Sequence, residues 1–430
     1  MEISLFSASA VFQGALPHPV FIMTSLGPIF ADDLARVKPG DRLRLTISAQ
    51  TSDAAALAQA ALEARARGER VLVVCADPAD VPRLAQEMPW FEPNLDVRPL
   101  PDWETLPYDV LSPQEELVSE RLEALYRLTA PTGGADVLLT SAVTASQRLS
   151  PVSYIGANTF FFHQGEQISL TTLQKRLAAA GYANVKQVLA AGEFAVRGSI
   201  VDVFPMGSER PFRLDFFDDE IESIRWFDVD TQRSMESAEE IRLLPGHEFP
   251  VDPEALLAFR QRWRREFAGD PKKSIVYCDI EKEILPPGIE YYLPLFFDET
   301  AALTDYLPPN ARVFLLGDIE AALQAFGRDM ASRYKVLAAD PQRPALAPER
   351  IWLKPEEFFK SLANFARFTV EKKENAEDLK CLSGIEVDRK SQNPVGKLLE
   401  RTRESAMKGV RTLIAAPSAG RMAVSYTHLR

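Results

Sequence analysis

Two uninterrupted apolar runs constrain the fold of this chain more than any other feature of its sequence. Residues 70–75 read RVLVVC and residues 136–141 read DVLLTS. Such runs are typical of strands buried on both faces of a parallel sheet, because a half-solvated strand alternates apolar with polar residues. Parallel strands need crossover connections, which are usually helices. Helices are predicted at 53–67 and 113–128 and would supply such connections. The sequence therefore predicts an α/β domain with a doubly wound sheet.

The order of predicted elements divides the chain into segments. Strands and helices alternate from Leu43 onward, give way to one helix and consecutive strands, and then alternate again around an apolar strand at 313–316. Charged and polar residues at 371–396 are typical of a linker. The predicted segments are a partly disordered N-terminal extension (1–42), a first α/β half (43–150), a small inserted α+β domain (151–245), a second α/β half (246–370), the linker (371–396) and the start of a further α/β domain (397–430).

The stretch at 192–230 indicates a protein-binding surface. It is predicted to form three short strands, and the middle one alternates with period two. Phe212, Leu214 and Phe216 face one way, and Arg213, Asp215 and Phe217 face the other, with Arg197 on the preceding strand. An exposed aromatic side chain flanked by arginines is typical of a binding hot spot. A core hairpin whose arginines pair with Asp215 or Asp218 is the alternative, and spacing alone leaves both open.

Several exact motifs carry a resemblance to a known family. The chain closely resembles the N-terminal region of bacterial transcription-repair coupling factors, from about Leu43 to about Arg421. The wider pattern R-G-x-x-x-D-x-F-P, followed by a hairpin, is shared with the excision-repair protein UvrB. The segments that carry the likeness are Arg197-Gly198, 203–207 (VFPMG), 213–221 (RLDFFDDEI), 100–109 (LPDWETLPYD), 243–250 (LLPGHEFP) and 287–291 (PGIEY).

The resemblance implies a fold and a role. It implies a UvrB-like, degenerate helicase-type domain assembled from 43–150 and 246–370, the UvrB-like parts 1a and 1b, with 151–245 inserted as a UvrA-binding domain. The expected function is an adaptor that recruits UvrA and nucleotide excision repair to RNA polymerase stalled at DNA lesions. Matched position by position, the UvrA-contacting residues are Arg197, Arg213 and Phe217. Gly198 beside Arg197 is also compatible with a bulge that would turn this side chain.

A UvrB-like enzyme that remodels DNA with ATP is the alternative function, and the phosphate loop argues against it. A P-loop needs glycines whose backbone N–H groups surround the phosphates and a lysine that neutralises them. Residues 47–53 read ISAQTSD and contain neither, and Asp53 would repel a phosphate. Asp318 and Glu320 resemble a decayed Mg²⁺ motif, and without a P-loop we expect them to be either vestigial or ordinary acids at a helix N-terminus. We expect no cofactor and no catalytic residues in this chain.

Other chemistries find little support. The carboxylates between Asp215 and Asp230 should splay outward from a hairpin, so we expect no metal site. The net charge is −12, and no basic patch stands out for DNA. Arginines 260, 262, 264 and 265 are expected on the solvated side of a helix that buries Leu256, Phe259, Trp263 and Phe267. The aromatic hairpin with which UvrB grips damaged DNA has no room between Tyr108 and Ser112.

The remaining expectations concern context. The cysteines at positions 75, 278 and 381 are widely spaced, which fits a reducing cytoplasm, and no membrane span is predicted. The last residues, 422–430, do not match the family, so we expect a truncated piece of a longer protein. In that protein the resemblance implies an ATP- and Mg²⁺-dependent DNA translocase, with contacts to RNA polymerase and double-stranded DNA, in regions missing here.

Overall fold

The computed structural model describes residues 4–7, 36–47, 52–130, 134–372, 396–409 and 413–416. Most of the predicted extension, nearly all of the linker, residues 48–51 of the phosphate-loop position, Cys381 and the tail at 422–430 lie outside the described residues. The predictions made for those parts stay predictions.

Helices and strands alternate over much of the described chain. The strands are β1 (Ser4–Ser7), β2 (Arg42–Ile47), β3 (Val71–Cys75), β4 (Val97–Pro99), β5 (Val137–Ser141), β6 (Phe160–His163), β7 (Ala183–Asn184), β8 (Glu193–Arg197), β9 (Ile200–Val203), β10 (Phe212–Phe217), β11 (Glu220–Phe227), β12 (Ser234–Ala238), β13 (Glu240–Leu243), β14 (Arg312–Leu316), β15 (Ala366–Lys372) and β16 (Leu413–Ala416). The helices are α1 (Ser52–Ala66), α2 (Asp80–Phe91), α3 (Glu115–Thr129), α4 (Ala142–Ser146), α5 (Val152–Ala157), α6 (Leu170–Ala179), α7 (Pro253–Glu266), α8 (Ile275–Glu281), α9 (Ile319–Leu337), α10 (Pro348–Ile351), α11 (Pro355–Ser361) and α12 (Gly396–Met407). Short 3₁₀ turns lie at Pro271–Lys273, Ile289–Leu295 and Leu303–Tyr306.

A parallel sheet forms the centre of the fold. Its strand order is β2-β15-β14-β3-β5-β4, and every neighbouring pair runs parallel. The predicted strands at 70–75, 136–141 and 313–316 are confirmed to within one residue at each end. The early and late parts of the chain meet in this sheet, because β14 pairs with β3. The α/β class with a parallel sheet is therefore confirmed.

Both faces of the parallel sheet are covered, which explains its continuous apolar strands. Residues of β3 alternate between two separate clusters of buried side chains, with Leu72 and Val74 in one and Val71, Val73 and Cys75 in the other. Phe314 and Phe368 stack with ring centroids 4.7 Å apart in the second cluster. Cys75 is a fully buried core residue, as the sequence predicts.

A second sheet, almost entirely antiparallel, follows α6 and carries the candidate site. Its order is β12-β11-β10-β9-β8-β7, and only the short β7 pairs in parallel. The stretch at 192–230 forms four strands, β8 to β11, so the prediction of three was wrong. The extra strand arises because Gly198, with φ +63°, makes a tight turn between β8 and β9. Helix α6 buries Leu173 and Leu177, and Leu170 on the same face is partly buried.

A buried ion pair ties helix α3 to the segment that follows β13. Arg121 on α3 donates from Nε to Glu248 at 2.6 Å, and Trp103 donates from Nε1 to the same carboxylate at 3.0 Å. All three side chains are buried. Buried charges persist where they are paired and hydrogen-bonded, so this contact favours one fixed arrangement of the segments it joins.

Candidate partner-binding site

Strand β10 presents an exposed phenylalanine at the end of a strand whose other aromatic and aliphatic side chains are buried. Phe212, Leu214 and Phe216 are buried, and Phe217 exposes 69% of its surface. The alternation predicted from the sequence is therefore confirmed for this strand. An aromatic side chain with that exposure costs solvation free energy unless another surface covers it, because apolar area is driven out of water.

The turn that carries Phe217 is firmly held. Phe217 pairs with Glu220 across a two-residue turn in which Asp218 takes φ +54°. The backbone carbonyl of Asp219 accepts a hydrogen bond from Ile168 N at 2.7 Å, and the carbonyl of Ile221 accepts one from Gly165 N at 2.8 Å. These bonds fix the hairpin end against the preceding segment. A partner would therefore meet a preorganised ring, which lowers the entropy cost of binding.

Arg213 faces outward on β10 but is engaged within the domain. Its Nε donates to Asp202 Oδ1 at 2.6 Å and its Nη2 to Asp202 Oδ2 at 3.0 Å. Its Nη1 donates to the carbonyl oxygen of Gln232 and to Ser234 Oγ, both at 3.2 Å. Only 15% of the side chain is exposed. Hydrogen bonding to Asp202 raises the pKa of Arg213 above its usual value.

Arg197, at the end of β8, lies nearer to solvent. Its side chain is 49% exposed, and its Nη2 contacts Asp202. Within the described part of the chain, its Nε and Nη1 make no hydrogen bond. The bulge considered beside Arg197 is not present: Arg197 pairs with Ile200 across the turn that contains Gly198. Arg197 on β8 and Arg213 on β10 therefore contact the same carboxylate from two different strands.

Asp202 is the residue of this surface that sequence reasoning missed. Its side chain is fully buried, with 0% exposure, beneath both guanidinium groups. The pairing of the arginines with Asp215 or Asp218 was wrong: Asp215 accepts a hydrogen bond from Ser223 at 2.9 Å, and Asp218 lies in the turn. A signal was available, since Asp202 is the aspartate of the R-G-x-x-x-D-x-F-P pattern.

Among the described residues, the position that a P-loop would occupy contains an ion pair. Asp53 at the start of α1 is fully buried, and Arg83 on α2 donates to its two oxygens at 3.0 and 2.6 Å. Asp318 caps α9 by accepting from Ala321 N at 2.9 Å, which confirms its role as a helix N-terminal acid. The crevice at the carboxyl ends of β3 and β14 is lined by acids, among them Asp77, Asp80, Asp318, Glu320 and Glu371. This charge repels polyphosphates.

The carboxylates near the hairpin do not converge. Among the residues that the structure describes, no three His, Cys, Asp or Glu side chains lie together in a way that could hold a metal ion. Asp228 accepts hydrogen bonds from Thr231 N at 2.8 Å and Thr231 Oγ1 at 2.7 Å, which lowers the pKa of this carboxyl. These are turn contacts of the kind that favour Asp in loops.

The segment between Tyr108 and Ser112 is short and anchored. Tyr108, with φ +64°, donates its hydroxyl to the carbonyl oxygen of Leu346 at 2.9 Å. Ser112 Oγ donates to Glu290 Oε2 at 2.8 Å, and burial raises the pKa of Glu290 to about 7. Leu106, Val110 and Leu111 are exposed on this loop.

The arginine-rich helix α7 follows its prediction only in part. Leu256, Phe259 and Trp263 are buried as expected, whereas Phe267 is only partly buried. Arg264 and Arg265 are exposed. Arg262, in contrast, is mostly buried and donates from Nη2 to Asp298 at 2.6 Å, and Arg260 lies 3.6 Å from Glu281. Half of the apparent basic cluster is thus neutralised by acids of neighbouring elements.

Comparison with known proteins finds similarity over the region that contains these residues. A family model described as the UvrB interaction domain matches residues 160–249, which include Arg197, Asp202, Arg213 and Phe217. The transcription-repair-coupling factor of Escherichia coli (strain K12) is 42% identical over 298 residues, covering 69% of this chain and 26% of that protein. The corresponding protein of Haemophilus influenzae (strain ATCC 51907 / DSM 11121 / KW20 / Rd) is 41% identical over 340 residues, covering 78% of this chain and 28% of that protein.

More distant relatives carry the same description. The transcription-repair-coupling factor of Bacillus subtilis (strain 168) is 32% identical over 216 residues, covering 46% of this chain and 18% of that protein. Across the described ranges, no helix is long and apolar enough to cross a membrane. The chain spans about a quarter of the length of the Escherichia coli and Haemophilus influenzae relatives. The chain is similar to part of the transcription-repair-coupling factors, over a region that includes the match to the UvrB interaction domain.

Proposed function

We propose that this chain is an adaptor that binds UvrA through the outer face of the β8–β11 sheet. The exposed ring of Phe217 on a hydrogen-bonded hairpin is the observation that supports this most directly. Aromatic and arginine side chains dominate the free energy of most protein interfaces. Phe217 and Arg197 both lie within the UvrB interaction domain, so the surface resembles the one that UvrB would offer.

The wider role follows from the family. In the proposed scheme the longer protein contacts RNA polymerase stalled at a DNA lesion, and this module brings UvrA and the excision machinery to that place. ATP-driven movement on double-stranded DNA would belong to other parts of the longer protein. We expect the adaptor to act in the cytoplasm, where bacterial transcription and repair take place.

We propose that this chain itself does not use ATP. The buried Asp53–Arg83 pair supports this, because the guanidinium of Arg83 is already engaged by Asp53, and the acids that line the adjoining crevice would raise the free energy of a bound polyphosphate. The same pair argues against the UvrB-like, ATP-dependent remodelling enzyme as an alternative function.

A competition experiment tests the adaptor function. Purified UvrA, labelled with a fluorophore, is first saturated with UvrB, and this chain is then added in increasing concentration. If both use the same UvrA surface, the chain displaces UvrB and the anisotropy falls to the value of the UvrA–chain complex. A ternary complex that contains both proteins would contradict mimicry of UvrB, and an absence of any binding to UvrA would contradict the adaptor function altogether.

A further inference from the structure

Two arginines on the proposed docking face share one buried carboxylate. Arg213 donates from Nε and Nη2 to the two oxygens of Asp202, and Arg197 contacts the same carboxylate through Nη2. Asp202 has 0% exposure, so the two guanidinium groups are its charge partners in place of water. A carboxylate buried in this way is stable only where such partners remain in position.

The two arginines differ in how many guanidinium nitrogens remain available for a hydrogen bond to a partner protein. Arg213 is 15% exposed, and each of its guanidinium nitrogens donates a hydrogen bond within the domain. Arg197 is 49% exposed, and only its Nη2 is engaged among the described residues. A second protein can therefore reach the Nε and Nη1 of Arg197, whereas it could pair with Arg213 only by breaking existing bonds.

The loop before β12 locks Arg213 further. Gln232, with φ +58°, accepts from Arg213 Nη1 through its backbone oxygen and donates its Nε2 to the carbonyl oxygen of Val229 at 2.7 Å. The guanidinium of Arg213 also lies over the ring of Phe227, 5.0 Å from its centroid. Arg213 is thus enclosed by β9, β11 and this loop.

We propose that Asp202 is a positioning residue that assigns separate roles to the two arginines. It holds Arg213 as an internal brace and aims Arg197 at the partner, so that Arg197 and Phe217 make the direct contacts. The partner surface should then offer a carboxylate opposite Arg197 and an apolar recess for Phe217, because a charge-assisted pair and a buried ring are the contacts these side chains can form. This inference rests on the proposed binding of UvrA.

A double-mutant cycle on binding separates positioning from general damage to the fold. The full chain, the single variants Asp202→Asn and Arg197→Ala, and the double variant are each titrated against immobilised UvrA, with circular dichroism melts of every protein. We expect Asp202→Asn to weaken binding about tenfold when Arg197 is present, in the range of lost interfacial charge pairs. In the Arg197→Ala background, Asp202→Asn should weaken binding by less than about twofold, because the guanidinium that Asp202 would position is absent.

Equal losses in both backgrounds would contradict the proposal, since Asp202 would then act independently of Arg197. If Asp202→Asn does not fold, Asp202→Glu keeps the charge but displaces it, and the same coupling with Arg197 is expected. Unfolding of both variants would show a purely structural carboxylate and would also contradict the proposal. Phe217→Ala is measured in parallel: if it weakens binding while Asp202 shows no coupling, only this inference fails, and if it binds normally, the proposed docking face fails.

Discussion

Phe216 and Phe217 are neighbours in the chain, yet Phe216 is buried in the core and Phe217 projects into solvent from the end of the same strand. The period of a strand forces this contrast, because successive side chains point to opposite faces. Phe216 belongs to the large cluster that includes Phe212 and Leu214.

The first prediction uses this pair as a matched comparison. Phe216→Ala should lower the free energy of unfolding by about 3–5 kcal/mol, because it removes a packed ring from the core. Phe217→Ala should leave the melting temperature unchanged within error. Thermal melts followed by circular dichroism provide the measurement. A destabilised Phe217→Ala protein would show that its ring is covered by this chain itself.

The second prediction concerns Arg213, whose truncation cannot be neutral if it braces Asp202. Arg213→Ala should lower the free energy of unfolding by about 2 kcal/mol, the range for lost hydrogen bonds to a buried charge. Arg225 is the matched control, because it pairs with Arg213 across β10 and β11 and is exposed. Arg225→Ala should change stability little. Urea unfolding measures the free energy of unfolding of both variants. Equal losses in the two variants would contradict the bracing role of Arg213.

The third prediction is that the chain does not bind nucleotide. Isothermal titration with Mg-ATP should give no heat beyond dilution, because a buried, paired Asp53 stands at the start of α1. A well-fitted micromolar dissociation constant would contradict this. Arg83→Ala should not create a nucleotide site, and its melting temperature should fall because the buried Asp53 carboxylate loses the guanidinium that pairs with it.

The fourth prediction concerns pH. Burial raises the pKa of Glu290 to about 7, above its ordinary value near 4.5. Between these values the folded chain holds more protons than the unfolded chain, so the stability contributed by Glu290 falls as pH rises through this window. Glu290→Gln should therefore raise the melting temperature at about pH 8, with a gain that shrinks toward about pH 5. Glu299→Gln, at an exposed position, is the control. A gain independent of pH would contradict titration of Glu290 as the cause.

The features predicted most reliably from the sequence are those that depend on local pattern, namely buried strands and the direction of side chains along a strand. Continuous apolar runs located β3, β5 and β14, and alternation placed Phe217 outward, because periodicity reports burial directly. The role of Asp202 was not predicted, because its partners lie on two other strands. A contact between strands depends on the register of the whole sheet, which local pattern does not report. Arg83 was missed for a similar reason, since the helix that carries it meets Asp53 only in the folded chain.

The direct test of the adaptor function is the affinity of Phe217→Ala for UvrA, with Phe161→Ala as a matched control. Phe161 is another exposed phenylalanine inside the UvrB interaction domain, on β6. In surface plasmon resonance with immobilised UvrA, Phe217→Ala should bind about thirtyfold more weakly than the parent, as expected for a central aromatic anchor. Phe161→Ala should bind as the parent does. Parent-like affinity of a folded Phe217→Ala protein would contradict the proposed docking face.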